Sequence, residues 1–165
     1  MRKSIIFALF CMLPILFGCS NSDDVTDIFV AKTWRLNFIS EGGKNQTWYK
    51  FTDVKDDNYQ AYTSRTKTFT MYFAGLQSGH IISGTFNFNG TVSGSGSWSA
   101  DGSNGTFTTS NVSGNIDDST DIIAQKILYG LQHTKAYSGD VNNLFISFDY
   151  EGTTLQMSFS KYSSN

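Results

Sequence analysis

Apolar side chains at every second position, in short runs separated by glycine, asparagine and serine, restrict this chain to a narrow set of folds. Leu144, Ile146, Phe148 and Tyr150 alternate with polar neighbours, as do Leu155, Met157 and Phe159. The same period runs through Trp34, Leu36 and Phe38, through Phe69, Met71 and Phe73, and through Ile82, Gly84, Phe86 and Phe88. A period of two lines one face of a strand and leaves the other to solvent. Asn89-Gly90 then supplies the strongest hairpin signal, and Val92, Gly94, Gly96 and Trp98 continue on the next strand. Glycines at 94 and 96 suit a sharply bent strand or a close approach of two backbones, as at a barrel corner.

Other turns follow the same chemistry. Glu41-Gly42-Gly43-Lys44 is expected to turn the first strand into a return strand over Trp48, Tyr49, Lys50 and Phe51. Asp53 to Asn58 reads as a charged loop, and Tyr59 to Arg65 fits neither period. Asp101-Gly102 leads into Thr106-Phe107-Thr108, and Glu151-Gly152 joins the last two strands. Charged residues make up only 16% of the chain and aromatics 15%, a mixture suited to strands and turns. The single proline, Pro14, lies outside all of these segments.

One segment breaks the period. Ile123, Ile127 and Leu131 recur every four residues, with Ile122, Ala124 and Leu128 beside them. This predicts a helix over 118–133, capped by Asp118, with Asp121 also favouring its positive end. Its apolar stripe is expected to pack against strands bearing Trp34, Phe86, Trp98, Phe148 and Phe159. The fold class is therefore mainly β: a bent antiparallel sheet or partial β-barrel of about seven to nine strands with one packed helix.

The N-terminus carries separate information. Arg2 and Lys3 precede a mostly apolar run from Ile5 to Phe17, too short to span a bilayer as a mature helix and flanked like a secretory signal. Leu16-Phe17-Gly18-Cys19 resembles a bacterial lipobox, with Phe17 larger than the usual residue at its position. The resemblance implies cleavage after Gly18 and lipidation of Cys19. Cys11 leaves with the signal, so Cys19 becomes the lone cysteine of the mature chain and no internal disulfide can form. Acylation would also remove an exposed thiol from an oxidising compartment.

Residues 1–18 are thus expected to be the signal peptide and 19–30 a lipidated, flexible acidic tether, with the β domain over 31–162. The Ser22-Asp23-Asp24 run resembles acidic export signals of Bacteroidetes lipoproteins, which favours the cell surface slightly over the periplasmic face of the outer membrane. Loss of Arg2 and Lys3 leaves ten Lys and Arg against 14 Asp and Glu, taking the net charge from −2 to −4. With no basic cluster, nucleic acid and anionic lipid are poor partners.

From Ile82 to Lys161 the order of elements resembles the META (HslJ-like) domain of envelope lipoproteins. The likeness lies in the hairpin Ser83-Gly84-Thr85-Phe86-Asn87-Phe88-Asn89-Gly90-Thr91, in Gly105-Thr106-Phe107-Thr108-Thr109, in the helix, and in the two closing strands. Lys32-Thr33-Trp34-Arg35-Leu36 looks like the first strand shared by META and lipocalin-like domains. The resemblance implies a small bent sheet or partial barrel crossed by one helix, and no chemistry.

No residue pattern points to catalysis, a cofactor or a metal. His80 and His133 lack metal-ligand spacing, and Asp56-Asp57 and Asp117-Asp118 are adjacent acids of the kind that solvate in loops. Asp101-Gly102-Ser103-Asn104-Gly105 lacks the downstream glutamate of a calcium loop and reads as a hairpin turn. Asp118-Ser119-Thr120 fits either a helix cap or an O-glycosylation motif at Ser119 or Thr120. The expectation is a non-catalytic, lipid-anchored envelope protein whose β domain binds a protein or glycan partner. The alternative is a lipocalin-like carrier of a small apolar ligand.

Overall fold

The computed structural model describes residues 22–42 and 47–163, so the signal segment and Cys19 lie outside the described residues. Eight strands follow one another around a closed antiparallel barrel: β1 (Thr33–Glu41), β2 (Phe69–Ser78), β3 (Ile81–Gly90), β4 (Val92–Asp101), β5 (Thr106–Ile116), β6 (Thr134–Gly139), β7 (Asn143–Tyr150) and β8 (Thr153–Tyr162). Each strand pairs with its neighbours in sequence, and β8 closes the ring by pairing with β1 from Thr33↔Tyr162 to Glu41↔Leu155. Closure removes the sheet edges, the usual aggregation hazard of an open antiparallel sheet, except along the far half of β1 on its β2 side.

The alternating residues point inward as expected. Met71, Phe73, Phe86, Phe107, Ile146, Phe148, Met157 and Phe159 are buried, so the barrel is filled by its own side chains. In β1 the register to β8 shifts between Leu36 and Phe38. That bulge inverts the phase, so Ile39 is buried while Leu36 and Phe38 are only half-buried. The glycines of β4 serve close approach: a Cβ on Gly94 would lie 2.1 Å from the Ser113 carbonyl oxygen.

Three helices complete the fold among the described residues, where the sequence predicts one. The first, α1 (Ser22–Phe29), corrects the tether reading for these residues, while 19–21 lie outside the described residues. Val25, Ile28 and Phe29 are buried, and the Phe29 ring enters the barrel mouth among Phe73, Trp98, Phe107 and Tyr137. Three apolar residues in an acidic run look like a spacer until the barrel supplies the surface that buries them. The second helix, α2 (Asp56–Thr63), replaces the expected charged loop, with Tyr59 and Tyr62 buried one turn apart.

The third, α3 (Ile122–Gln132), lies within the predicted span but starts later. Its cap is Asp121, whose side chain accepts from Ala124 N at 3.0 Å. Asp118 instead closes the preceding turn, accepting from Thr120 N at 2.9 Å and from the Thr120 hydroxyl at 2.6 Å. Ile123, Ile127 and Leu131 are buried, and α3 packs on β4, β5 and β7. Trp98 departs from the expected arrangement by packing on Phe29 of α1, with ring centroids 4.8 Å apart.

The predicted return strand at 48–51 is not a strand. Only Tyr49 N bonds to β1, donating to Ile39 O at 2.6 Å, and Gly42 N turns to Thr154 O of β8 at 3.0 Å. Gly43 and Lys44 lie outside the described residues. Trp48 packs on Tyr59 and Tyr62 of α2, while Tyr49 meets Phe51 edge-on and Phe51 reaches Tyr150 of β7, so these rings serve packing and not a ladder.

Candidate functional site

Incomplete pairing of β1 creates the most distinctive surface. Its partner on one side, β8, follows it throughout, but β2 pairs with it only from Thr33↔Tyr72 to Arg35↔Thr70. Beyond Leu36 the β2 side of the strand is open, and residues 47–63 fill the gap. Phe51 N donates to the buried Tyr59 hydroxyl at 2.7 Å, which fastens the segment to α2. Trp48 lies over that fastening, with its ring centroid 5.9 Å from Tyr59 and 5.6 Å from Tyr62.

Half-buried Trp48 separates two clefts. The larger, about 740 Å³, is lined by Thr47, Trp48, Lys50, Asp56, Tyr59 and Gln60, with the Thr63 and Ser64 hydroxyls at its end. The smaller, about 320 Å³, runs between Trp48 and the Leu36–Phe38 stretch toward Arg65. Lys50 Nζ lies 4.3 Å from the centroid of the Tyr59 ring and 2.9 Å from the Asp56 carboxylate. Burial raises the Tyr59 phenol above its ordinary pKa, so it stays protonated. The lining therefore combines a flat aromatic side, an opposed charge pair, three hydroxyls and an amide. Such a set can stack against and hydrogen-bond a polar ligand.

Beneath this surface Asp121 is 1% exposed and joins three elements. It accepts from Ala124 N of α3, from the Tyr62 hydroxyl of α2 at 3.0 Å, and from Lys67 Nζ at 2.9 Å. Tyr62 also bonds Thr91, in the β3–β4 turn, at 2.8 Å. Burial drives the Tyr62 phenol far above its ordinary pKa, while the bond to Asp121 raises the Lys67 ammonium. The node makes α2, α3 and the barrel end one rigid support for the clefts.

The residues weighed in the sequence are scattered. His80 lies in the β2–β3 turn, 3.9 Å from the Asp101 carboxylate, whereas His133 ends α3 with its ring stacked on Tyr129. Among the described residues no three His, Cys, Asp or Glu side chains converge to hold a metal. Asp101 accepts from Ser103 N at 2.8 Å in a hairpin turn. Ser119 and Thr120 are exposed ahead of α3. Sequence reasoning missed the Trp48 cleft, because residues 48–51 read as a strand. It also missed Asp121 as the cap, although that residue directly precedes the periodic apolar run, which is the N-terminal signal of a helix.

Fold and surface together define a closed, eight-stranded antiparallel barrel with filled interior, one mouth stoppered by a helix and an aromatic cleft at its open seam. The chain belongs to the DUF4847 family, a domain of unknown function whose pattern matches residues 20–161. It is similar to a solved DUF4847 family protein from Bacteroides vulgatus ATCC 8482 at 18% identity and a TM-score of 0.56, over 86% of this chain and 99% of that one. No curated protein matches. The family shown is DUF4847, and a lipocalin-like barrel is compatible with the topology.

Proposed function

We propose that this protein is a non-catalytic lipoprotein, held in the bacterial outer membrane through acyl chains on Cys19, that binds an envelope glycan or protein at the Trp48 cleft. The observation that carries the reading is the half-buried indole of Trp48, backed by Tyr59 and Tyr62 and flanked by the Lys50–Asp56 pair. A half-exposed aromatic between two clefts is poorly explained by packing alone, and aromatic anchors dominate recognition surfaces. The hydroxyls and amide around it suit a hydroxyl-rich partner. The carrier reading has less support, because Phe29 and the inward aromatics occupy the space an apolar ligand would need.

The anchor is tested by Cys19→Ser, which should move the protein from detergent-extracted membranes to soluble fractions. The cleft is tested by titrating the mature protein with purified envelope polysaccharides and by photo-crosslinking from Gln60 in intact cells. Trp48→Ala should abolish the binding or the crosslink while the domain stays folded by circular dichroism, its melting temperature lowered only by the lost packing on Tyr59 and Tyr62. Equal binding by the parent and Trp48→Ala would sink the cleft as the site.

A further inference from the structure

We infer that the α1 end of the barrel rests on a phospholipid surface, with a ring of exposed apolar side chains seated in the interfacial layer. The inference depends on the anchor at Cys19 proposed above.

Five large hydrophobic residues are exposed among those described, and all five lie at this end. Leu76 and Ile81 stand on the β2–β3 hairpin, 85% and 43% exposed. Val141, 46% exposed, is in the β6–β7 turn. Tyr72 and Tyr162, 43% and 37% exposed, both pair with Thr33 at the start of β1. The strand order puts β2 and β3 on one side of the mouth and β6 and β7 across from them, so the residues ring the stoppered opening. The other end, bearing α2, α3 and the Trp48 cleft, has none.

Chain geometry selects the occupant. Cys19 precedes Ser22, the first residue of α1, by three positions. Three residues reach at most about 10 Å, so acyl chains on Cys19 hold this mouth, and no other part of the barrel, at the bilayer. Tyrosine with its apolar body and polar tip suits the water–lipid boundary. Asp23, Asp24 and Asp27 of α1, with Asp101 and Asp140, outnumber Lys32 and Lys161 at this end, so the contact is interfacial and independent of anionic lipid. The Trp48 cleft then faces away from the membrane.

Acylated mature protein carrying Leu76→Cys or, as a distal control, Asp57→Cys can be labelled with a polarity-sensitive fluorophore on phosphatidylcholine vesicles. The label at 76 should shift to the blue, be quenched by brominated lipid and resist aqueous iodide. The label at 57 should do the reverse. If the protein floats with the vesicles but both labels stay open to iodide, the rim contact is wrong and the anchor stands. If the 76 label is shielded from both quenchers, protein covers the rim, which also overturns the inference. Failure to float would remove the anchor and the rim contact together.

Discussion

The rings of Phe29 and Phe107 stack 5.2 Å apart and 9° from parallel, which joins α1 to the inner wall of β5. Phe29 also meets Phe73 and Tyr137 edge-on, so one side chain from outside the barrel completes its aromatic core. Phe29→Ala should cost about 3–5 kcal/mol of unfolding free energy, the range for a buried phenylalanine. Urea denaturation of the mature domain measures this. A loss below about 1 kcal/mol would mean that α1 lies on the barrel rather than in it.

Gly84 faces Gly75 across the β2–β3 ladder, where a Cβ would come within 2.0 Å of the Ala74 carbonyl oxygen. The indole of Trp98 bonds that same oxygen at 3.1 Å, so the wall has no room to give. Gly84→Ala should destabilise by about 3 kcal/mol through overpacking. Gly79→Ala meets nothing within 4 Å and bears only the strain of a φ of +64°, about 1 kcal/mol. Thermal melts of the pair should rank them in that order.

Asp121→Ala removes a cap and the partner of both Tyr62 and Lys67 at once. The expected loss is about 2–3 kcal/mol, of which the cap accounts for about 1. Asp121→Asn keeps the acceptor for Ala124 N and should recover roughly half. Lys67→Met leaves the buried Asp121 carboxylate without its cation and should cost a comparable amount, on the order of 2–3 kcal/mol. A double-mutant cycle between Asp121 and Lys67 checks the coupling.

Acid should weaken the fold in a defined window. Asp101 is held below the ordinary carboxylate pKa by the Ser103 hydroxyl, Asp118 by the Thr120 hydroxyl, Asp140 by the backbone N–H of Asn142, and Asp149 by Lys135. A lowered folded-state pKa adds stability that is complete above the unfolded value and is lost as pH falls through the folded one. The melting temperature should therefore hold from neutrality to about pH 5 and fall below about pH 4. Lys67, raised by Asp121, acts with the opposite sign: its contribution is lost only as pH rises above the ordinary lysine range. Asp118→Asn should shallow the acid limb and, because Asp118 lies 3.6 Å from Lys67 Nζ and helps Asp121 to raise it, also bring the alkaline loss slightly lower in pH.

Local periodicity was sufficient for the β architecture, the inward residues of β2, β7 and β8, and the apolar face of α3. Those patterns report the burial of a strand or helix face whatever its partners are, so they can be read without the fold. The tertiary structure decided what depends on distant surfaces. Val25, Ile28 and Phe29 count as core only because the closed barrel offers them a mouth to fill. Residues 48–51 form a cluster instead of a strand because β8 already pairs β1 on one side and α2 packs beside the open edge. The bulge after Leu36 reassigns burial from Phe38 to Ile39, a change of phase that no alternating pattern encodes. Closure itself was a tertiary outcome, since a bent sheet and a barrel share the same alternation and differ only in whether β8 returns to β1.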